Sequence, residues 1–370
     1  MAPRATDSPT LADVAKYIGV SRTTVSNAYN RPDQLSPALR ERVLAAASEL
    51  GYGGPDPMAR SLRRGRAGSL GLVFDHNLRY IFSDPAAVLF LSGVAAGCEE
   101  HGTGLALVPQ LPEGAAEVVR SALVDGYIMF CTPEDDERLQ AVIARGLPYV
   151  LVDYSGNVPG PRVNIDDRGG ARAVAQHLVD LGHRRVGIIL PYEKWGFEIP
   201  YGDDDQGEAT AQSAEELSDP THVTDYRRWR CFIRHERLLG WRDALEPAGV
   251  DWSSVPVASA PDSDTQTGFL AAAQLLDRAE RPTAIICLSD LLALGAMRAA
   301  AERGIRVPQD LSIVGFDDIS HAATASLTTV YQDHAAKGEA AVRLTGEGGG
   351  DDVVLPTKLV VRASSGPAPK

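Results

Sequence analysis

Four aspartates stand just past short apolar runs: Asp75 after "GLVF", Asp153 after "YVLV", Asp290 after "IICLS" and Asp317 after "IVGF". A carboxylate at such a place can accept hydrogen bonds from ligand hydroxyls. It can also cap the next helix, and Asp290 is well placed for that. A second group of polar side chains lies near the start of the chain. Arg22, Thr23, Thr24, Ser26 and Asn27 follow one another closely in "SRTTVSNAYN". Arginine pairs with guanine, asparagine with adenine, and threonine can donate, accept or touch a thymine methyl.

Helices must present the second group. Thr10 is an N-cap, and Leu11, Val14, Ala15 and Ile18 fall at helical spacing before Gly19. Ser21 can cap a second helix, with Val25 turned back toward Ala15. Two short helices joined by a glycine turn make a helix-turn-helix. Ser36 and Pro37 start a third helix, with Leu39, Val43, Leu44, Ala47 and Leu50 as its buried stripe and Gly51 as its end. A helical hairpin with a merely polar face would show the same pattern.

The aspartates call for a different scaffold. The runs "SLGLVF", "GLALV", "GYIMF", "PYVLV", "RVGIIL", "TAIICL" and "LSIVGF" alternate with helical patterns. This predicts an α/β body with two parallel sheets. In open sheets of this kind ligands bind beyond the carboxyl ends of the strands.

Charge divides the chain in the same way. Residues 1–66 carry ten Lys/Arg against six Asp/Glu, a net charge of +4, while the remainder carries 26 against 43, or −17. A basic head on an acidic body fits nucleic-acid binding by the head. No G-x-S-x-G, phosphate loop, H-E-x-x-H or G-x-G-x-x-G marks an enzyme. Cys98, Cys131, Cys231 and Cys287 form no CxxC pair, so reduced, buried thiols are expected. His177 and His183 lack a third ligand for a metal, and helix packing in "LGH" accounts for them. No metal or cofactor is expected. No apolar run approaches the roughly 20 residues of a membrane helix. The start "MAPRATDSPT" lacks a signal-peptide core, so the expected location is cytoplasmic, with no membrane partner.

Between head and body lies "GYGGPDPMARSLRRGR". Tyr52 to Pro55 reads as a linker. Asp56 and Pro57 can start a helix over residues 58–64, which Gly65 stops. Helices shorter than about 12–15 residues are marginal alone in water, so this one needs a partner.

"TLADVAKYIGVSRTTVSNAYN", "SPALRERVLAAASELGY" and "DPMARSLRRGRAGSLGLVF" follow one another as in the LacI/GalR family of bacterial transcription regulators, which the chain resembles along nearly its whole length. The resemblance implies that the short helix is a hinge helix, folding when two copies pair in the minor groove. Ala59 and Leu62 would contact DNA there, Leu62 as a wedge between base steps. It assigns phosphate contacts to Ser21, Thr24, Asn30 and Ser36, and base reading to Arg22, Thr23 and Asn27. Asn27 stands where arginine is usual, which implies a different preferred base. The linker carries one extra residue around Gly53-Gly54.

For the body, the resemblance implies a periplasmic-binding-protein-like domain of two subdomains joined by crossing strands, with an effector in the cleft. Arg237 matches the family's effector-clamping arginine. Tyr80, Phe82 and Asp84 of "RYIFSDP" match cleft-lining positions, with core packing as the alternative for the aromatics. Gln332 and His334 fall at a crossing between subdomains. An acidic insertion over 191–225 is either a surface loop or a lid carrying Trp195, Phe197 or Tyr201.

The expected organisation is a DNA-binding domain over 1–54, a hinge over 55–66 and an effector and dimerisation domain over 67–370. The expected function is a homodimeric repressor that binds double-stranded operator DNA under allosteric control by a small polar effector, a sugar by family analogy. A solute-binding protein or an α/β enzyme using the same cleft is the alternative.

Overall fold

The computed structural model describes residues 9–55, 65–75, 78–111, 113–191, 211–213, 232–260 and 262–370. The predicted hinge helix with Ala59 and Leu62, and nearly all of the 191–225 insertion, lie outside the described residues. The chain divides into two compact units, Met1–Gly68 and Ser69–Lys370.

In the first unit, Thr10 and Asp13 close a capping box at the start of α1 (Leu11–Ile18). Gly19 ends that helix in the left-handed region, with φ 70°. Ser21 accepts from Thr24 N to start α2 (Arg22–Asn30), and Ser36 accepts from Leu39 N to start α3 (Pro37–Glu49). Val14, Ala15, Val25, Ala28, Val43, Ala46 and Ala47 form the core. The stripe on α3 differs from the expected one. Leu39, Leu44 and Leu50 are half-buried, and the small Ala46 lies inside, because three short helices leave room only for small side chains at the crossing. Tyr52, expected in the linker, packs edge-on against Tyr29 with ring centroids 6.1 Å apart, so it belongs to the head.

Among the described residues the second unit contains two large sheets and a two-stranded one. The strands and helices of the first lobe are β1 (Ser69–Phe74), α4 (Leu78–Ser83), α5 (Pro85–Glu100), β2 (Gly104–Val108), α6 (Ala115–Ser121), β3 (Gly126–Phe130), α7 (Glu137–Arg145), β4 (Tyr149–Val152) and β5 (Arg162–Ile165). Then come α8 (Asp167–Asp180), β6 (Val186–Pro191), β7 (Ala211–Ser213), α9 (Phe232–Leu245), β8 (Pro256–Ala260), α10 (Thr265–Leu276), β9 (Ala284–Cys287), α11 (Asp290–Glu302), β10 (Ser312–Val314) and α12 (Ser320–Thr324). The chain ends with β11 (Thr329–Gln332), α13 (His334–Gly346), β12 (Val353–Leu355) and β13 (Thr357–Val360).

One sheet runs β12-β5-β4-β3-β1-β2, all parallel. The other runs β10-β9-β6-β8-β7, parallel except for β7. The seven apolar runs named above become β1, β2, β3, β4, β6, β9 and β10. The chain passes between lobes at Asp166, Asp333 and Pro356, and β11 and β13 pair antiparallel beside these crossings.

Helix α13 comes after the second lobe in sequence but packs on the first. Its backbone approaches α5 so closely that a β-carbon on Gly93 would collide with Ala335 O. That contact fixes which residues of α13 face the ends of β3 and β4. His183 is fully buried, bonded to Thr283, Ser312 and Gly366 O, and His177 bonds Ser365. Both histidines therefore anchor the C-terminal segment. Cys98, Cys131 and Cys287 are buried and in no disulfide, while Cys231 lies outside the described residues.

Candidate nucleic-acid face and ligand cleft

The polar groups of the head gather at the start of α2. Ser21, Arg22, Thr23 and Ser36 are exposed, and Thr24, Asn27 and Asn30 are half-exposed. The first turn of α2 carries no acidic residue. Its positive end and its amide N–H groups therefore meet no carboxylate of their own, which suits a phosphate. Ser36 spends an acceptor lone pair on capping and keeps a hydroxyl proton to donate. Ser21 caps α2 and shares a 2.8 Å hydrogen bond with the Thr24 hydroxyl, which leaves one proton of that pair to donate. Asn30 is turned back on α2, its Nδ2 donating to Ser26 O at 3.0 Å.

In the second unit the carboxyl ends of the strands converge with the crossings. Phe74, at the end of β1, stacks on Phe130 of β3 with centroids 4.3 Å apart, and Tyr80 leans on Phe74. Arg138, buried on α7, donates to Phe74 O and forks onto Asp136, which holds the end of β1 in place. Asp75 follows directly. Tyr80 Oη donates to Asp84 Oδ2 at 2.6 Å, while Asp84 Oδ1 caps α5 at Ala86 N. Burial, then the Asp84 charge, push the Tyr80 phenol well up, so it keeps its proton and donates. Phe82 stands 63% exposed on α4. Among the described residues Phe74, Phe130 and Tyr80 form an aromatic wall.

A continuous run of polar contacts links the lobes. Asp153, with φ 52°, follows β4 and accepts from Lys337 Nζ at 2.7 Å. Lys337 also donates to Gln332 Oε1 at 3.3 Å, and Gln332 Nε2 donates to Asp317 Oδ1 at 2.8 Å. Asp317 Oδ1 lies 3.6 Å from Arg237 NH1. Arg237 donates through Nε to Asp167 at 2.8 Å and through NH1 to Leu288 O at 2.6 Å. Its guanidinium sits 3.5 Å over the Phe316 ring, a cation–π contact. Every member from Asp153 to Asp167 is at least nine-tenths buried.

Burial is the leading electrostatic effect here. It raises the Asp167 carboxyl to about 6 and that of Asp317 to about 7, against the pull of Arg237. Burial also drives His334 well below its ordinary value, helped by Lys337 and Arg237, so its imidazole is neutral. Asp290 is fully buried and raised to about 8, by burial and then by Asp317. It does not cap α11; Ser289 does. Its two oxygens accept from Thr329 Oγ1 and Ile319 N, which ties β11 and α12 to the end of β9.

The sequence reading missed Lys337, Asp167 and Phe130. Asp167 had only a local signal, the paired aspartates of "IDDRGG" at the start of a helix. Lys337, in "HAAKGEAAV", is a lone cation among small residues, which reads as exposed until α5 is known to cover the helix. Among the described residues no cluster of His, Cys, Asp or Glu is arranged to hold a metal ion, and no helix is long and apolar enough to cross a membrane.

Residues 10–54 match the lacI family of bacterial regulatory proteins, and residues 175–365 match the periplasmic binding protein-like domain. An HTH-type transcriptional regulator of Mycolicibacterium smegmatis is 42% identical, with 99% of each chain covered. A complex of the transcriptional regulator CelR with cellobiose is 30% identical with a TM-score of 0.66, covering 96% of this chain and 99% of that one. The lac repressor dimer bound to operator and the anti-inducer ONPF is 25% identical with a TM-score of 0.73, covering 97% and 100%.

Proposed function

Because the chain belongs to the LacI family of bacterial transcription regulators, and is thus a DNA-binding regulator rather than an enzyme, we propose that it is a homodimeric repressor controlled by a sugar in the cleft. The observation that carries the sugar reading is the buried run from Asp153 through Gln332 to Arg237. It brings hydrogen-bonding groups of both lobes together beside an aromatic wall, where strand ends meet. Aromatic faces and paired polar groups suit a sugar ring. The binding of cellobiose by CelR supports the same class.

In this reading Arg22, Thr23 and Asn27 read base edges. Ser21, Thr24, Asn30 and Ser36 hold phosphates, and Ala59 and Leu62 act in the minor groove. Asp75, Tyr80, Phe82, Asp84, Asp153, Arg237, Asp317 and Gln332 serve the effector. Asp290 acts behind them by holding β11. Residues 1–54, 55–66 and 67–370 are the DNA-binding, hinge and effector parts. A ligand that bridges the lobes closes the cleft and changes the affinity for operator, with a coupling of about 1–3 kcal/mol, typical of allostery.

The test has two readouts. Duplexes selected from a random pool are titrated by fluorescence anisotropy, with and without a panel of sugars. Affinity should fall steeply with salt through phosphate contacts, and one sugar should change it by about fivefold or more. A promoter–reporter fusion carrying the selected site should be less active when the protein is present. Activation of the reporter would replace the repressor reading with an activator. Affinity indifferent to every sugar would remove the effector reading.

A further inference from the structure

The region around the polar run holds more carboxyls than cations. Asp153 acts on Asp167, Asp84 acts on Asp317, and Asp317 in turn acts on Asp290. The cations acting on Asp167 and Asp317 are Arg237 and Lys337. Both are already engaged: Arg237 by Asp167, Leu288 O and Asp317, and Lys337 by Asp153 and Gln332. Burial raises Asp167 and Asp317 to about 6 and about 7, so protons stand there in place of a further cation.

The same region also leaves specific atoms unsatisfied. Asp153 Oδ1, Asp167 Oδ2 and His334 Nε2 are buried and without hydrogen-bond partners. All three side chains are more than nine-tenths buried. The His334 ring bonds the Asp317 backbone, and a neutral imidazole that donates at one nitrogen accepts at the other. The three open positions are therefore acceptors. A hydroxyl would supply one donor and no charge. A primary ammonium supplies three donors and the missing positive charge together.

We propose that the effector is an amino sugar, and that Asp153, Asp167 and His334 form the subsite for its ammonium group. This rests on the sugar reading above and narrows it to a cationic ligand. The ammonium donates to the open oxygens and to the imidazole nitrogen. Its charge replaces protons on the neighbouring carboxyls, as a buried charge requires a partner of opposite sign. N-acetylation removes the charge and leaves a single N–H, so N-acetyl sugars are poor ligands.

The experiment is calorimetric titration of the full chain with matched sets: glucose with glucosamine, kanosamine and N-acetylglucosamine, galactose with galactosamine, and mannose with mannosamine. In at least one set the amine should bind about tenfold or more tighter than its hydroxyl parent. That preference should vanish in buffer alkaline enough to deprotonate the amine, where the parent sugar serves as the control for the protein. The double variant Lys337→Met/Asp153→Asn, checked for native circular dichroism, should cut the ratio of amine to parent affinity by about tenfold. A loss of packing alone would weaken both ligands alike and leave the ratio unchanged. Amines that bind no tighter than their parents overturn the proposal and leave the sugar reading standing. So does a preference that survives deprotonation of the amine, or one that a correctly folded double variant keeps. If no member of any set binds, the sugar reading itself falls, and this proposal falls with it.

Discussion

Replacing Lys337 by methionine isolates the energetics of the cleft from its ligand. Methionine keeps an unbranched apolar stem on α13 and removes only the ammonium. The pair it breaks is short and dry: Lys337 Nζ lies 2.7 Å from Asp153 Oδ2, with side chains 2% and 0% exposed. Coulomb attraction at this separation, with an effective dielectric constant near 20, is about 6 kcal/mol. Desolvation of both ions offsets much of that in the intact pair. It does not do so in the variant, where one carboxylate remains buried and uncompensated, and such losses run at about 3–5 kcal/mol. The melting temperature of the second unit should therefore fall by roughly 6–10 °C, at about 2 °C per kcal/mol for a large domain. Adding Asp153→Asn removes the stranded charge. Asparagine also tolerates the left-handed backbone at this position, where φ is 52°. The double variant should recover at least half of the loss, leaving a coupling of about 2 kcal/mol between the two positions. Thermal melts of the four proteins, followed by circular dichroism, measure it. A single variant as stable as the parent would show that the pair is not desolvated. A double variant no better than the single would show that the loss comes from packing on α13 rather than from charge.

Stability of the second unit should also depend on pH in an unusual direction. Asp167, Asp317 and Asp290, at about 6, 7 and 8, hold protons that the unfolded chain releases near 3.8. Stability from these groups is greatest in acid and declines as pH rises from about 4 to 8, because the folded state binds more protons than the unfolded one. Melting temperatures between pH 5 and pH 8, taken about one unit apart, should fall, and Asp290→Asn should flatten the upper part. A rising curve would contradict the burial of these carboxyls. Arg237 provides a geometric test: Arg237→Lys should destabilise by about 2 kcal/mol or more, because one ammonium cannot serve Asp167 and Leu288 O in a planar fork. Parental stability in that variant, measured by urea unfolding, would refute the fork.

What could be read without the structure follows from periodicity and from local capping chemistry. Thr10, Gly19, Ser21, Ser36 and Pro37 act within a few residues of themselves, so their roles as caps and stops are legible in one dimension. Short apolar runs rich in β-branched residues and bounded by turn signals, such as "RVGIIL", read as buried strands. Shorter or more polar segments, β5 "RVNI" and β8 "PVASA", carry no such signal, because their burial depends on neighbours distant in sequence. The same limit applies to the cleft. The rule that ligands meet the carboxyl ends of strands picked out Asp75, Asp153, Asp290 and Asp317 as equals. Only the folded arrangement separates Asp290, which holds β11, from Asp153, which keeps an open acceptor oxygen. It also brings Lys337 to Asp153 across 184 positions of sequence. That pairing depends on α13 crossing back to lie against α5, with glycines at the contact. Secondary structure is determined by what a residue is and by its near neighbours. A binding site is determined by what the crossings bring together.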